Sequence, residues 1–164
     1  MILIFGDSLV DGLQFNCNFH IEKFPGITSE QLLRNDFDLN FYLDEDNYNV
    51  VIIIVGSNDL GYGISNNEII NNIISLHQIA WNRNIKTIVI GLSDKKFNKE
   101  LSKKLEKYDS TKFLFCDYLE NISSDKTIDG LHLTSDAKHE FSDQLQNLIK
   151  KKLIINLNDY SFNK

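Results

Sequence analysis

Two cysteines, Cys17 and Cys116, are all that 164 residues offer, and they sit neither in a CxxC spacing nor among metal-ligand residue types. That excludes a disulfide framework and reads as two reduced, semi-buried thiols. Positive charge is also scarce, since 17 Lys and Arg face 23 Asp and Glu for a formal charge of −6, and the only arginines are Arg34 and Arg83. Nucleic-acid backbones and anionic lipid surfaces need concentrated positive charge to release counterions, so no nucleic-acid partner is expected. No apolar run approaches the roughly 20 residues that cross a bilayer, so no integral membrane contact is expected either. The N-terminal MILIF has no basic flank and meets Asp7 two residues later, which reads as a strand rather than a signal peptide and points to a cytoplasmic protein. Repeats, low-complexity stretches and linkers are missing, and the length suits one domain over 1–164, with 154–164 a tail that is docked or disordered. The glycine-rich Gly61-Tyr62-Gly63 lacks the lysine and Ser/Thr of a phosphate-binding loop and reads as a flexible rim. The run Asp44-Glu45-Asp46 has no further carboxylates near it in sequence, so it reads as a solvated loop. Neither metal nor cofactor is expected.

What the chain does have is a series of short β-branched runs. Residues 2–5 (ILIF), 50–55 (VVIIIV), 87–92 (TIVIGL) and 113–116 (FLFC) show no polar alternation, as parallel strands buried on both faces require. Residues 19–24 alternate weakly and end at Pro25-Gly26, which predicts a further strand, second in chain order. Between the strands the period becomes helical. Ile69, Ile70, Ile73, Ile74, His77, Ile79, Ala80 and Trp81 share one side of a helix over 66–83, and Leu101, Leu105 and Tyr108 mark a shorter one. Thr28 or Ser29 caps a helix carrying Leu32, Leu33, Leu39 and Tyr42. A last helix begins near Thr134 or Ser135, turns Ala137, Phe141, Leu145, Leu148 and Ile149 inward, and ends on Lys150 to Lys152, where cations suit the helix dipole. Strands alternating with helices predict right-handed crossovers and an α/β fold, a three-layer α/β/α sandwich around a flavodoxin-like sheet of five parallel strands.

In such a sheet ligands bind outside the carboxyl ends of the strands. The residues there are Gly6-Asp7-Ser8-Leu9, Gly26-Ile27-Thr28 and Gly56-Ser57-Asn58-Asp59, with Asp129-Gly130-Leu131-His132 just before the last helix. A serine directly after a buried strand, at the start of a helix, presents its hydroxyl at the sheet edge beside free N–H groups that favour developing negative charge. An Asp-x-x-His loop ahead of the last helix can reach across the strand ends to that serine.

These four blocks, in this order, resemble those of the GDSL/SGNH hydrolases, and the resemblance runs from Phe5 to about Leu148. It implies a serine esterase with Ser8 as nucleophile, His132 as general base and Asp129 holding the imidazole. It also implies an oxyanion hole made by the backbone N–H groups of Ser8 and Gly26 and the side-chain amide of Asn58. Asp7 and Asp59 would shape their loops by hydrogen bonding rather than transfer protons. His20, His77 and His139 lack the context of His132 and read as structural or solvated.

The sequence departs from the family pattern in three places. About ten residues separate Leu9 from the second strand, so the first helix should be short and one cleft wall trimmed. Phe24 precedes Pro25-Gly26, so one glycine of the usual second block is missing. The connection Ser93-Asp94-Lys95-Lys96 is brief and charged. A compact chain of this kind implies an open cleft for small acyl groups such as acetyl, on a small-molecule, carbohydrate or lipid ester. The same residues would also serve an acyltransferase, and a non-catalytic binding protein on the hydrolase fold is the reading from a different class.

Overall fold

A computed structural model describes residues 1–152; the tail expected over 154–164 lies outside them. Strands β1 (Ile2–Gly6), β2 (Phe19–Lys23), β3 (Val50–Ile54), β4 (Lys86–Ile90) and β5 (Phe113–Cys116) form one parallel sheet in the order β2-β1-β3-β4-β5. Every residue of β1 and β3 is buried. Leu3, Phe5, Val51, Ile53 and Val89 point into one core, while Ile2, Ile4, Val50, Ile52 and Ile88 point into a second across the sheet. A two-residue side-chain period with both faces covered is why these strands read as unbroken apolar runs.

Helices α1 (Ser29–Leu33), α2 (Leu39–Glu45), α3 (Ser57–Gly61), α4 (Asn66–Asn82), α5 (Lys95–Leu105) and α6 (Ser135–Lys152) complete the α/β/α sandwich. The stripe of Ile69, Ile73, Leu76 and Ala80 on α4, with Phe97 and Leu101 on α5, closes the first core. Ala137, Phe141, Leu145 and Ile149 on α6 close the second. Among the described residues no helix is long and apolar enough to cross a membrane.

Four local expectations are corrected. The short helix expected after β1 is a single 3-10 turn, Ser8–Val10, followed by a loop to β2. Loop N–H groups packed on protein need acceptors, and α6 supplies them: Gln14 N–H donates to Ser142 Oγ at 3.0 Å and Asn16 N–H to Gln146 Oε1 at 2.8 Å. The helix expected from Thr28 to Tyr42 is broken into α1, a 3-10 turn over Asn35–Phe37, and α2. Asp38 begins the second piece by accepting the Asn40 N–H, and the Phe37 ring turns in to meet Phe24 with centroids 5.0 Å apart. β4 covers 86–90 rather than 87–92, although the Gly91 N–H still bonds Cys116 O at 2.8 Å. Tyr108 lies beyond the end of α5 and packs on Trp81 from there.

Register brings the strand ends together. Gly6 is level with both Lys23 and Ile54, so the loops after β1, β2 and β3 leave the same edge side by side.

Candidate active site

Ser8 opens the 3-10 turn directly after β1 and is half-buried. Its Oγ lies 3.0 Å from His132 Nε2, although 124 residues separate them. His132 Nδ1 lies 2.5 Å from Asp129 Oδ2. The other Asp129 oxygen accepts the backbone N–H groups of Leu131, at 3.0 Å, and His132, at 2.7 Å. Asp129 is therefore fixed by the turn that carries the histidine. Hydrogen bonds from His132, first through its side chain and then its backbone, together with that from Leu131, hold the Asp129 carboxyl down at about 2, so it is an anion at any working pH. The turn is clasped at its base by an antiparallel bridge between Thr127 and Leu133 and by the Ile128 N–H donating to His132 O at 2.8 Å.

Gly26 sits in the turn Phe24-Pro25-Gly26-Ile27, closed by the Ile27 N–H on Phe24 O at 3.1 Å. Its φ of 79° follows a proline, the arrangement of a type II turn, which glycine adopts without strain. The glycine missing from this block is replaced by Phe24, whose ring packs on Phe5 and Phe37. Asn58, the second residue of α3, donates through Nδ2 to Ile27 O at 2.9 Å, which ties its amide to the Gly26 turn and leaves a second amide N–H. Among the described residues neither the Ser8 nor the Gly26 N–H donates to a protein acceptor.

Two buried carboxylates stand behind these loops. Asp59 receives the Ser29 N–H, at 2.9 Å to Oδ2, and the Ser29 hydroxyl at 2.5 Å, and Asn72 Nδ2 donates to that same hydroxyl. The chain from Asp59 through Ser29 to Asn72 is invisible in sequence, because it joins residues 30 and 43 positions apart with no motif. Asp7 Oδ1 accepts the Leu9 N–H at 2.9 Å, while Oδ2 is buried with no hydrogen-bond partner. Burial pushes the Asp7 carboxyl up to about 6, with Asp59 adding to the rise and the Leu9 N–H opposing it.

A group whose folded pKa lies above its unfolded value of 3.8 costs stability when it ionises. The folded state holds the extra proton between about pH 4 and 6, so the stability Asp7 contributes is present below about pH 4 and lost as pH rises to 6. Asp7→Asn removes this dependence. In urea titrations the variant's stability relative to the parent is expected to rise from pH 4 to 6 and then level off, by roughly 3 kcal/mol at most. A constant difference over that window would refute this account of Asp7.

The remaining histidines stand apart from this cluster. His20 Nδ1 meets Tyr48 Oη at 2.8 Å within the β2 region. His77 is fully buried, stacks on Trp81 at 5.8 Å, and is pushed by burial down to about 3, so it is a neutral core side chain. His139 is exposed on α6. Among the described residues no three His, Cys, Asp or Glu side chains are grouped to hold a metal ion.

Ser8 and His132 open onto a cleft of about 240 Å³ whose apolar lining is Leu9, Pro25, Ile128 and Leu133. Three of its other lining residues, Asp11, Lys23 and Lys138, carry charge. The sequence reading missed them as site residues, although Lys23 ends β2 just ahead of the Pro25-Gly26 turn and could have been noticed there.

Comparison with solved structures aligns nearly the whole chain with esterases and lipases of one architecture. A psychrotrophic esterase from Pseudoalteromonas sp., solved inhibited by monoethylphosphonate, superposes with a TM-score of 0.73 at 20% identity, over 94% of this chain and 98% of that one. The fold is that of the GDSL/SGNH hydrolases. A GDSL-like lipase from Bacteroides thetaiotaomicron shares this fold with a TM-score of 0.72, 19% identity and coverage of 92% and 87%. An acetyl xylan esterase matches at 0.69 and 16%, over 91% of this chain and all of that one. No family model matches the sequence, and no curated protein matches it significantly. At these identities the likeness extends to the GDSL/SGNH fold and stops there.

Proposed function

We propose that this protein is a serine esterase that cleaves a carboxylic ester through an acyl-Ser8 intermediate. The observation that carries the reading is the unbroken hydrogen-bonded chain from Asp129 through His132 to Ser8, at 2.5 and 3.0 Å, opening onto a cleft. Ser8 Oγ attacks the ester carbonyl while its proton passes to His132 Nε2, and the imidazolium is stabilised by the Asp129 carboxylate. The carbonyl oxygen, now an oxyanion, is received by the N–H groups of Ser8 and Gly26 and the free amide N–H of Asn58. Collapse of the tetrahedral adduct breaks the ester C–O bond, and His132 returns the proton to the leaving alcohol. Water, deprotonated by His132, then releases the acid and restores Ser8.

A small acyl group, such as acetyl, suits a cleft of about 240 Å³, which is below the roughly 300–1,000 Å³ of pockets that enclose drug-sized ligands. That one of the similar structures is an acetyl xylan esterase agrees with this.

The test is hydrolysis of a short-chain aryl ester together with stoichiometric labelling of Ser8 by an organophosphonate. Asn58→Ala is expected to lower kcat by roughly 100-fold or more while leaving the unfolding transition nearly in place. Free acid as product supports the hydrolase, whereas transfer of the acyl group to an added sugar or alcohol would make the chain an acyltransferase. A protein that neither turns over ester nor takes the label would be a binding protein on this fold.

A further inference from the structure

The esterase reading leaves unexplained the charge on the cleft wall, where a chain of formal charge −6 sets two lysines and one aspartate beside the nucleophile. Lys23 Nζ bonds Asp11 Oδ1 at 2.5 Å, and this pairing, with a smaller contribution from the charge of Lys138, holds the Asp11 carboxyl below the usual range. Lys138 is the other cation. Among the described residues its ammonium has no hydrogen-bond or ion-pair partner, unlike Lys126 on the same side of the sheet, which is bonded to Glu140. One positive charge on the wall is therefore not neutralised by direct contact.

Lys138 also lies along the protein surface beside the cleft. It is half-buried in the first turn of α6, six residues after His132, and its stem crosses Gly12 so closely that a Cβ there would lie 3.0 Å from Cδ and 3.1 Å from Nζ. Helix stability does not account for it, because the first turn is the positive end of the helix dipole, where a cation is disfavoured. An ammonium with no direct ion-pair partner, beside an apolar pocket and a nucleophilic serine, has the chemistry of an anion anchor.

Resting on the esterase reading, we infer that the preferred substrates are esters carrying an anionic group, a carboxylate or phosphate a few bonds from the scissile carbonyl, with Lys138 as the specificity-determining residue. The anion could sit on either arm of the ester. p-Nitrophenyl hemisuccinate places it on the acyl side and 3-acetoxybenzoate on the alcohol side, and each is compared with a neutral counterpart, p-nitrophenyl butyrate and phenyl acetate.

For at least one pair the anionic ester is expected to have a kcat/KM about fivefold above the neutral one, and the preference should shrink in high salt. Lys138→Glu is expected to invert that ratio, and Lys138→Gln to bring it near unity. Lys103→Glu makes the same charge change on α5, across the sheet from α6, and should leave the ratio as it was. Turnover of neutral esters with no anionic preference on either arm, or a ratio that Lys138→Glu does not move, would overturn this inference while the esterase reading stands. No turnover of any of the four esters and no phosphonate label at Ser8 would overturn both.

Discussion

Asp129→Asn is expected to lower kcat by about 10⁴-fold, the loss seen for the equivalent change in a well-characterised Ser-His-Asp protease. The geometry gives the reason. In the parent, Asp129 Oδ1 accepts the Leu131 and His132 backbone N–H groups, and Oδ2 accepts the imidazole Nδ1–H. An asparagine keeps its single oxygen on the two backbone donors and turns its NH₂ toward Nδ1. Two donors cannot face each other, so the ring moves its proton to Nε2, and the nitrogen 3.0 Å from Ser8 becomes a donor that cannot accept the serine proton. The turn itself survives, so urea unfolding should change little while the rate collapses. Because Asp129 is held down at about 2, it is an anion throughout the working pH range, so the loss in Asp129→Asn is one of charge and ring orientation and is expected at every pH at which the parent is active. A variant with near-normal rate and the parental pH profile would mean that His132 is oriented by some other group.

The largest expected effect on stability is that of Gly6→Ala. A Cβ at Gly6 would lie 2.0 Å from Ile54 O and 2.8 Å from Ile54 C, both backbone atoms of the neighbouring strand. No side-chain rotamer relieves such a clash. Either β1 and β3 separate locally or the chain after Gly6 tilts, breaking the Asp7 N–H bond to Ile54 O at 2.9 Å. A cost of about 3 kcal/mol or more follows, equivalent to a Tm lowered by roughly 10 °C for a chain of this size. Since Ser8 is two residues further on, activity should fall more than stability alone dictates. Calorimetry showing a Tm within 2 °C of the parent would contradict this packing.

The sheet was legible in the sequence because its strands are buried on both faces, and β-branched runs such as VVIIIV have few other uses. The strand ends were legible for a related reason: Gly6-Asp7-Ser8 and Gly56-Ser57-Asn58 place polar and glycine residues abruptly after apolar runs. What escaped reading depends on partners far away in sequence. The bond from Gln14 to Ser142 spans 128 residues and that from Asn16 to Gln146 spans 130, and both replace a crossover helix whose loss was only half anticipated from the short spacing. The break near residues 34 to 38 was hidden because Leu32, Leu33, Leu39 and Tyr42 keep an acceptable helical period across it. In sequence nothing separates Lys138 from the other lysines of the chain, and only its placement over Gly12 beside the cleft distinguishes it.

The Asp129–His132 turn has a bearing on how such a chain tolerates shortening. Asp129 and His132 lie three residues apart and are bonded to each other, and Asp129 also to the backbone of the turn, so their mutual geometry is built locally, like a cassette. Only one distance in the constellation, that between Ser8 and the imidazole, is set by the sheet, through β1 and the seating of α6. Insertions or deletions in the loops that connect β1 to β5 can remodel the rim of the cleft without touching the Asp129–His132 pair. Length variation in those segments can therefore change the shape of the cleft while the Asp129–His132 pair keeps its geometry.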